Sequence, residues 1–111
     1  MGVVVKRFDV YLYLVALDPT MGAEMQKTRP CLIISPDDMN RYLATAIVAP
    51  MTSRGKNYPT RVACRFQGKD GQVVLDQIRT IDQARLSQRL GRISTATQKA
   101  VFTVLADLFA A

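Results

Sequence analysis

Two prolines bracket the stretch that most constrains how this chain can fold, Lys27 to Pro36 (KTRPCLIISP). Between them the apolar run Cys31 to Ile34 has the composition of a strand with little exposure to water. Proline cannot donate a ladder hydrogen bond, so Pro30 is expected at the first residue of that strand, over 31–35. Arg29 would then stand at the mouth of a loop, on the lip of a rigid sheet, where chemistry is commonly placed. The plainer alternative is a surface arginine that happens to precede a strand. On the other side, Ser35, Pro36, Asp37 and Asp38 read as a helix start: Ser35 at the N-cap, Pro36 at N1 and an acid at N3. The helix is expected to be one short turn, ending at Arg41 or Tyr42.

The rest of the chain repeats that punctuation. Asp9 to Leu17 (DVYLYLVAL) predicts a first strand, apolar on both faces and closed by Asp18 and Pro19. A loop follows to Lys27. Thr45 to Ala49 (TAIVA) predicts a third strand stopped by Pro50, and Thr52 to Pro59 (TSRGKNYP) a polar loop. Thr60 to Phe66 alternates, with Val62, Cys64 and Phe66 on one face and Arg61, Ala63 and Arg65 on the other. Gly68 to Gly71 reads as a hairpin turn, and Gln72 to Thr80 (QVVLDQIRT) as its second strand. A helical turn over 81–86 and a closing strand over 89–93 come next. Thr95 to Gln98 (TATQ) has the pattern of a capping box, opening a helix with Val101, Phe102, Leu105, Leu108 and Phe109 on one face, expected to pack on the core. Several short strands with a terminal helix indicate one α+β domain, a small barrel or curled sheet.

Composition narrows the function. Lys and Arg number 15 against 9 Asp and Glu, and ten of the fifteen are Arg, the side chain whose planar fork suits phosphate. The net charge of +6 favours a polyanionic partner, although charge also serves solubility. There is no His, which rules out a Ser/His/Asp triad and histidine acid–base chemistry. Cys31 and Cys64, far apart and without a CxxC pattern, read as buried thiols in a reducing cytosol, and no metal site or cofactor is expected. The opening stretch MGVVVKRFDV lacks the apolar core of a secretion signal, and Lys6 breaks the myristoylation pattern. The uncharged runs are too short to span a bilayer, so a cytoplasmic protein is expected.

The runs DVYLYLVALDPTMGAEMQKTRPCLIISPDDMN, TAIVAPMTS, YPTRV and VVLDQIRTIDQARL closely resemble the MazF/PemK toxin family, over almost the whole chain from about Lys6 to about Leu105. That resemblance implies an SH3-like barrel with short helices and a C-terminal α-helix, usually a homodimer. It implies metal-independent, sequence-selective cleavage of single-stranded RNA, chiefly messenger RNA. Growth would be arrested until a cognate MazE-like antitoxin binds. RNA carries its own nucleophile, the 2′-hydroxyl, so such an enzyme needs no nucleophilic side chain. It must orient that hydroxyl, accept its proton, offset charge on phosphorus and assist the leaving 5′-oxygen.

By the same resemblance, Arg29 of the RP motif matches the family's catalytic arginine and Thr52 of APMTS its catalytic threonine. A turn-capping hydroxyl after Pro50 is the structural alternative for Thr52. Arg29 and Thr52 meet only if the strands over 31–35 and 45–49 are neighbours. Glu24, the chain's single glutamate, would be general base or orienter of the 2′-hydroxyl, or else a solvated loop acid. On an alternating strand Gln77 and Arg79 share a face and could bind bases or phosphates, while Asp76 beside Leu75 looks part-buried and in need of a partner. A structural pair with an arginine suits Asp76, although some family members use an aspartate here for catalysis. Arg54, Lys56, Tyr58, Arg61 and Arg65 form a basic stretch with one aromatic, suited to phosphates and a stacked base or simply to a solvated face. Thr28 and Ser53, next to the two motif residues, join Arg54, Lys56, Tyr58, Gln77 and Arg79 in the candidate substrate-binding set.

One branch of the family has a histidine where this chain has Ala23 and an arginine where it has Val74, so a mechanism through those side chains is closed to it. Phe8 replaces the glycine usual before the first-strand aspartate. An acidic, disordered antitoxin tail laid across the basic groove would inhibit competitively. Two other readings stand beside the ribonuclease: a non-catalytic inhibitor of a protein target such as DNA gyrase, as CcdB is on a related barrel, and an RNA-binding barrel without turnover.

Overall fold

Seven apolar or alternating runs become strands of one antiparallel sheet, and the two capped segments become helices. The computed structural model describes residues 4–15 and 27–110; Leu17, and the predicted loop as far as Gln26 with Glu24 in it, lie outside the described residues. In chain order the elements are β1 (Asp9–Leu14), β2 (Thr28–Ile33), α1 (Asp37–Tyr42), β3 (Thr45–Thr52), β4 (Arg61–Phe66), β5 (Lys69–Val74), β6 (Arg79–Asp82), β7 (Leu86–Arg92) and α2 (Thr95–Leu108). The strands run in the order β4-β5-β3-β2-β1-β7, with β6 paired to β3 off that path. The sheet curls into a half-barrel with α2 packed against β4, the α+β architecture expected from the sequence.

Side chains alternate across the sheet and feed two apolar clusters. Val10 and Leu32 point into one, with Ala49, Val62, Val73, Leu75 and Val101 of α2. Tyr11, Tyr13, Cys31 and Ile33 point into the other, with Ala46, Val48 and Ile81. The nearly buried Asp9 closes the β1–β7 side: Arg89 Nε and Nη2 donate to its two oxygens at 3.0 and 3.2 Å, and Arg92 Nη1 donates at 3.2 Å.

Both prolines lie inside strands, contrary to the expected strand limits. β2 starts at Thr28, and Pro30 sits opposite Leu12 of β1; β3 joins β2 only from Cys31, so Pro30 has a strand on one side alone. At such an edge position a missing N–H leaves no gap in a ladder. Pro50, opposite Cys31, is the last β3 residue paired with β2; β3 then continues to Thr52 by pairing with β5.

Other boundaries move for equally local reasons. Ser35 is buried and caps nothing: its hydroxyl bonds Asn40 Oδ1 and accepts from Ile47 N at 3.0 Å, tying α1 to β3, while Pro36 holds the cap position. The β4–β5 turn is Gln67 and Gly68, with φ of 52° and 76°, so Gly71 belongs to β5. The predicted strand over 72–80 breaks at a 3₁₀ turn, Leu75–Gln77. The α2 cap is Ser94, which accepts from Thr97 N at 3.2 Å, one residue before the predicted box. The apolar face of α2 is also rotated. Ala100, Val101, Val104 and Leu105 pack on the core, whereas Phe102, Leu108 and Phe109 are exposed.

Phe8 explains itself in this setting. Its φ is 73°, the left-handed region that glycine enters freely, in a turn where Asp9 N donates to Lys6 O at 3.1 Å. The side chain is only 5 % exposed and meets the Phe102 ring edge-on at 5.0 Å. Replacing it by glycine relieves strain of about 1–2 kcal/mol but forfeits an aromatic burial of about 3–5 kcal/mol. Phe8→Gly is therefore expected to lower stability by about 2 kcal/mol in urea unfolding; a variant as stable as the parent would refute the packing account.

Candidate active site

Where β2 and β3 part beyond the Cys31–Pro50 pair, a cleft of about 480 Å³ opens between them. Pro30, Pro50 and Met51 form its floor, and Tyr13 of β1 and Val74 of β5 its apolar sides. The polar groups come from elsewhere in the fold: Arg29 from β2, Thr52 from the end of β3, Ser53 and Arg54 from the loop that follows, Arg61 from β4, Gln77 from the 3₁₀ turn and Arg79 from β6. The adjacency of β2 and β3 required to bring Arg29 and Thr52 to one place is present.

Thr52 is held from two directions. Its hydroxyl donates to Arg54 O at 2.8 Å and accepts from Arg54 N at 3.1 Å, the turn-capping arrangement foreseen as the structural alternative. From behind, β5 pairs Gln72 with it, and Gly71 lies so close that a Cβ would fall 2.7 Å from Thr52 O. Gly71 is thus required by close approach. Gln72 Nε2 donates to Lys56 O at 3.1 Å and pins the 53–59 loop against β5.

Charge in the cleft is lopsided. Arg29, Arg54, Arg61 and Arg79 all line it, and among the described residues only Arg61 has a carboxylate partner. Asp76 Oδ1 accepts from Arg61 Nε at 3.3 Å and from Thr60 Oγ1 at 3.0 Å. Partial desolvation pushes the Asp76 carboxyl up, but the hydrogen bonds from Arg61 and Thr60 outweigh it and hold the group below its ordinary value. The expected arginine partner for Asp76 is therefore Arg61, though the residue is exposed where part-burial was expected. On its other side the Arg61 guanidinium carbon lies 4.9 Å from the Tyr58 ring centroid.

Of the sequence candidates, Arg29, Thr52, Ser53, Arg54, Gln77 and Arg79 meet in the cleft. Gln77 and Arg79 meet there although the alternation expected to place them on one face is broken by the turn. Thr28, Lys56, Tyr58 and Asp76 do not line it: Thr28 begins β2 opposite Leu14, Lys56 offers its carbonyl to Gln72, and Tyr58 and Asp76 act on Arg61. Glu24 lies outside the described residues. Tyr13, Met51 and Val74 are lining residues that lie inside the runs carrying the family resemblance, yet the sequence does not single them out as site candidates, because apolar side chains there read as core. The thiols are poor nucleophiles. Burial pushes Cys31 up to about 12, the backbone bond to Tyr11 lowering it only in part, and burial also raises Cys64. Among the described residues no three His, Cys, Asp or Glu side chains gather as metal ligands would.

Such a cleft has the chemistry that suits a phosphate: arginine forks and a hydroxyl, held on separate elements beside apolar side chains. Comparison with known proteins identifies the family. The chain is 38 % identical over 102 residues to the endoribonuclease MazF of Staphylococcus saprophyticus, covering 86 % of this chain and 83 % of that protein. It superposes on the MazE–MazF crystal structure from Deinococcus radiodurans with a TM-score of 0.80 and 26 % identity, covering 96 % of each chain. A mycobacterial endoribonuclease in complex with its cognate antitoxin matches with a TM-score of 0.75 and 29 % identity, over 93 % of this chain and 92 % of that one. The profile of PemK-like, MazF-like toxins of type II toxin–antitoxin systems matches residues 6–109, and the chain belongs to that family.

Proposed function

We propose that this protein is a sequence-selective endoribonuclease toxin that cleaves single-stranded RNA, chiefly messenger RNA, and is neutralised by a cognate antitoxin. The observation that carries the reading is the convergence of Arg29, Arg54 and Arg79 with Thr52 around one cleft, with no carboxylate partner for those arginines among the described residues. A phosphodiester would supply the missing negative charge. A non-catalytic inhibitor of a protein target has no need of such a cleft, and the relatives are endoribonucleases by name.

In the proposed reaction the 2′-oxygen attacks the adjacent phosphorus and the bond from phosphorus to the 5′-oxygen breaks. The products are a 2′,3′-cyclic phosphate and a 5′-hydroxyl. Arg29 offsets the charge that builds on the non-bridging oxygens, with Arg54 and Arg79 gripping flanking phosphates and Gln77 and Ser53 hydrogen-bonding the strand. Thr52 exchanges its bond to Arg54 O for one to a phosphoryl oxygen. Glu24 takes the 2′-proton, and the departing 5′-oxygen takes a proton from the Arg29 guanidinium, which regains one from water. Asp76 supports the site by fixing Arg61. The enzyme works without metal in the cytoplasm, as a homodimer. No described helix is long and apolar enough to cross a membrane. The antitoxin, through an acidic segment, competes with RNA for the same arginines.

Incubation with a long single-stranded RNA in EDTA is expected to give discrete fragments with 5′-hydroxyl ends. Arg29→Ala should slow their appearance by about a hundredfold or more, as loss of one transition-state donor commonly does, while leaving the fold intact. Intact RNA after incubation with folded wild-type protein would sink the ribonuclease reading. Thr52→Ser is expected to keep most activity and Thr52→Val to lose it, because only serine can make the hydroxyl exchange; equal rates for the two would remove Thr52 from the chemistry.

The Asp76–Arg61 pair sets a pH dependence. The Asp76 value is lower in the folded than in the unfolded protein. Its stabilisation is therefore complete above the unfolded-state value, near 3.8, and is lost as pH falls through the lower folded value. Wild type and Asp76→Asn should differ by a constant urea midpoint from neutrality down to that range and converge below it. A gap that persists in acid would mean that Asp76 acts through something other than its charge.

A further inference from the structure

Strands β4 and β7 are the two edges of the curled sheet and share no ladder. Side chains close the seam between them. The Phe66 ring lies against Gly91, where a Cβ would come within 3.2 Å of the ring, and Gln67 Nε2 donates to Leu90 O at 3.0 Å. Beside this closure the seam opens into a slot of about 190 Å³. Its walls are apolar, built by Leu12, Met51, Cys64, Phe66 and Leu90 from four strands, and each of these is only partly buried. Pro30, Met51, Thr52 and Ser53 line both this slot and the cleft, so the two adjoin at the end of β3.

We infer that the slot receives the nucleobase of a nucleotide adjoining the scissile phosphate, and that Phe66, Met51 and Leu90 determine which base is accepted there. The inference rests on the ribonuclease reading and deepens it. The slot is smaller than the roughly 300 Å³ at which pockets for whole drug-sized ligands begin, so it suits one part of a larger ligand. A nucleotide whose phosphate lies at Thr52 has the slot within reach of its base, because Thr52 lines both cavities. The Phe66 ring, which touches Gly91 and lines the slot, offers an aromatic surface for stacking, and the sulfurs of Met51 and Cys64 are polarisable neighbours. The side-chain amides of Gln67 and Gln72 complete the lining and can read the edge of a base.

Cys64 provides the test. It lies in the slot wall, whereas Cys31 is fully buried, so a thiol reagent at alkaline pH reports on the slot alone. All-deoxy oligonucleotides of random sequence lack the 2′-hydroxyl and can bind without being cleaved. At saturation they are expected to slow alkylation of Cys64 by iodoacetamide in the wild-type protein by about tenfold, the size of one stacked base. In parallel, cleavage of a random-sequence RNA pool by Phe66→Leu should relax base preference by about tenfold at one position beside the cut and leave the other positions unchanged. Unprotected Cys64 together with an unchanged preference profile, in a protein that still cleaves RNA, would overturn the slot and spare the ribonuclease reading. Protection by an acidic antitoxin peptide but by no oligonucleotide would assign the slot to a protein and equally overturn the inference. If the wild type left RNA intact, the ribonuclease reading would fail, while Cys64 protection by the oligonucleotides would still decide whether a base enters.

Discussion

Beyond the Cys31–Pro50 pair, β2 and β3 have no further ladder bonds to share. Two prolines lie at this point, and neither can donate a backbone hydrogen bond. The strands separate: β2 stays with β1, and β3 turns to β5 for its last two residues, Met51 and Thr52. Arg29 and Thr52 are positioned by that separation. Arg29 on β2 and Thr52 on β3 are each two residues outside the split, so each is held by a ladder on its far side while facing the gap. Among the described lining residues the site is pre-organised largely by strands, with Gln77 on a 3₁₀ turn and Ser53 and Arg54 on a loop that is itself pinned by Gln72.

Electrostatics then divides the four arginines by role. Arg61 is committed to Asp76 and to the Tyr58 ring, so its cationic head is fixed in place and partly neutralised. Arg29, Arg54 and Arg79 have no such partner among the described residues, so the described lining of the cleft carries an excess of positive charge. In the proposed reaction a phosphate balances that charge, and a pentacoordinate phosphorane, with more charge on its non-bridging oxygens, balances it further. The same asymmetry favours binding and catalysis without histidine, because the substrate brings the nucleophile.

The fold class is legible in the sequence because its causes are local: alternating or continuous apolar runs, turn residues between them, and a capped terminal helix. Arg29 and Thr52 are legible because each lies next to a proline-marked run and in a motif shared with a known family. The strand limits are harder, since whether a proline ends a strand depends on whether a neighbour needs its N–H, and that is a tertiary fact. Pro30 and Pro50 were placed at strand ends on local grounds, yet both are accommodated where one neighbour is missing or departing. Ser35 shows the same limit: a serine before proline and two acids has every local feature of a cap, but burial against Asn40 and Ile47 takes its hydroxyl. The rotated face of α2 arises likewise, because Phe102 is drawn sideways to Phe8 and Ala100 and Val104 take the core contact.

Phe8 and Phe66 show how aromatic side chains finish what the backbone leaves open. Phe8 occupies a left-handed turn that glycine would enter without strain, and its ring fills the space between β1 and α2 against Phe102. Phe66 covers Gly91 across two strands that never pair. A seam closed by ladder bonds would be as uniform as the backbone itself. One closed by side chains takes whatever shape those side chains have, and here it stays open at the end nearest Thr52. The cleft at the parting of β2 and β3 and the slot at the seam are therefore lined by largely different residues of one small sheet. Under the proposed assignments, substitutions along the seam alter the slot while the arginines and Thr52 keep their places.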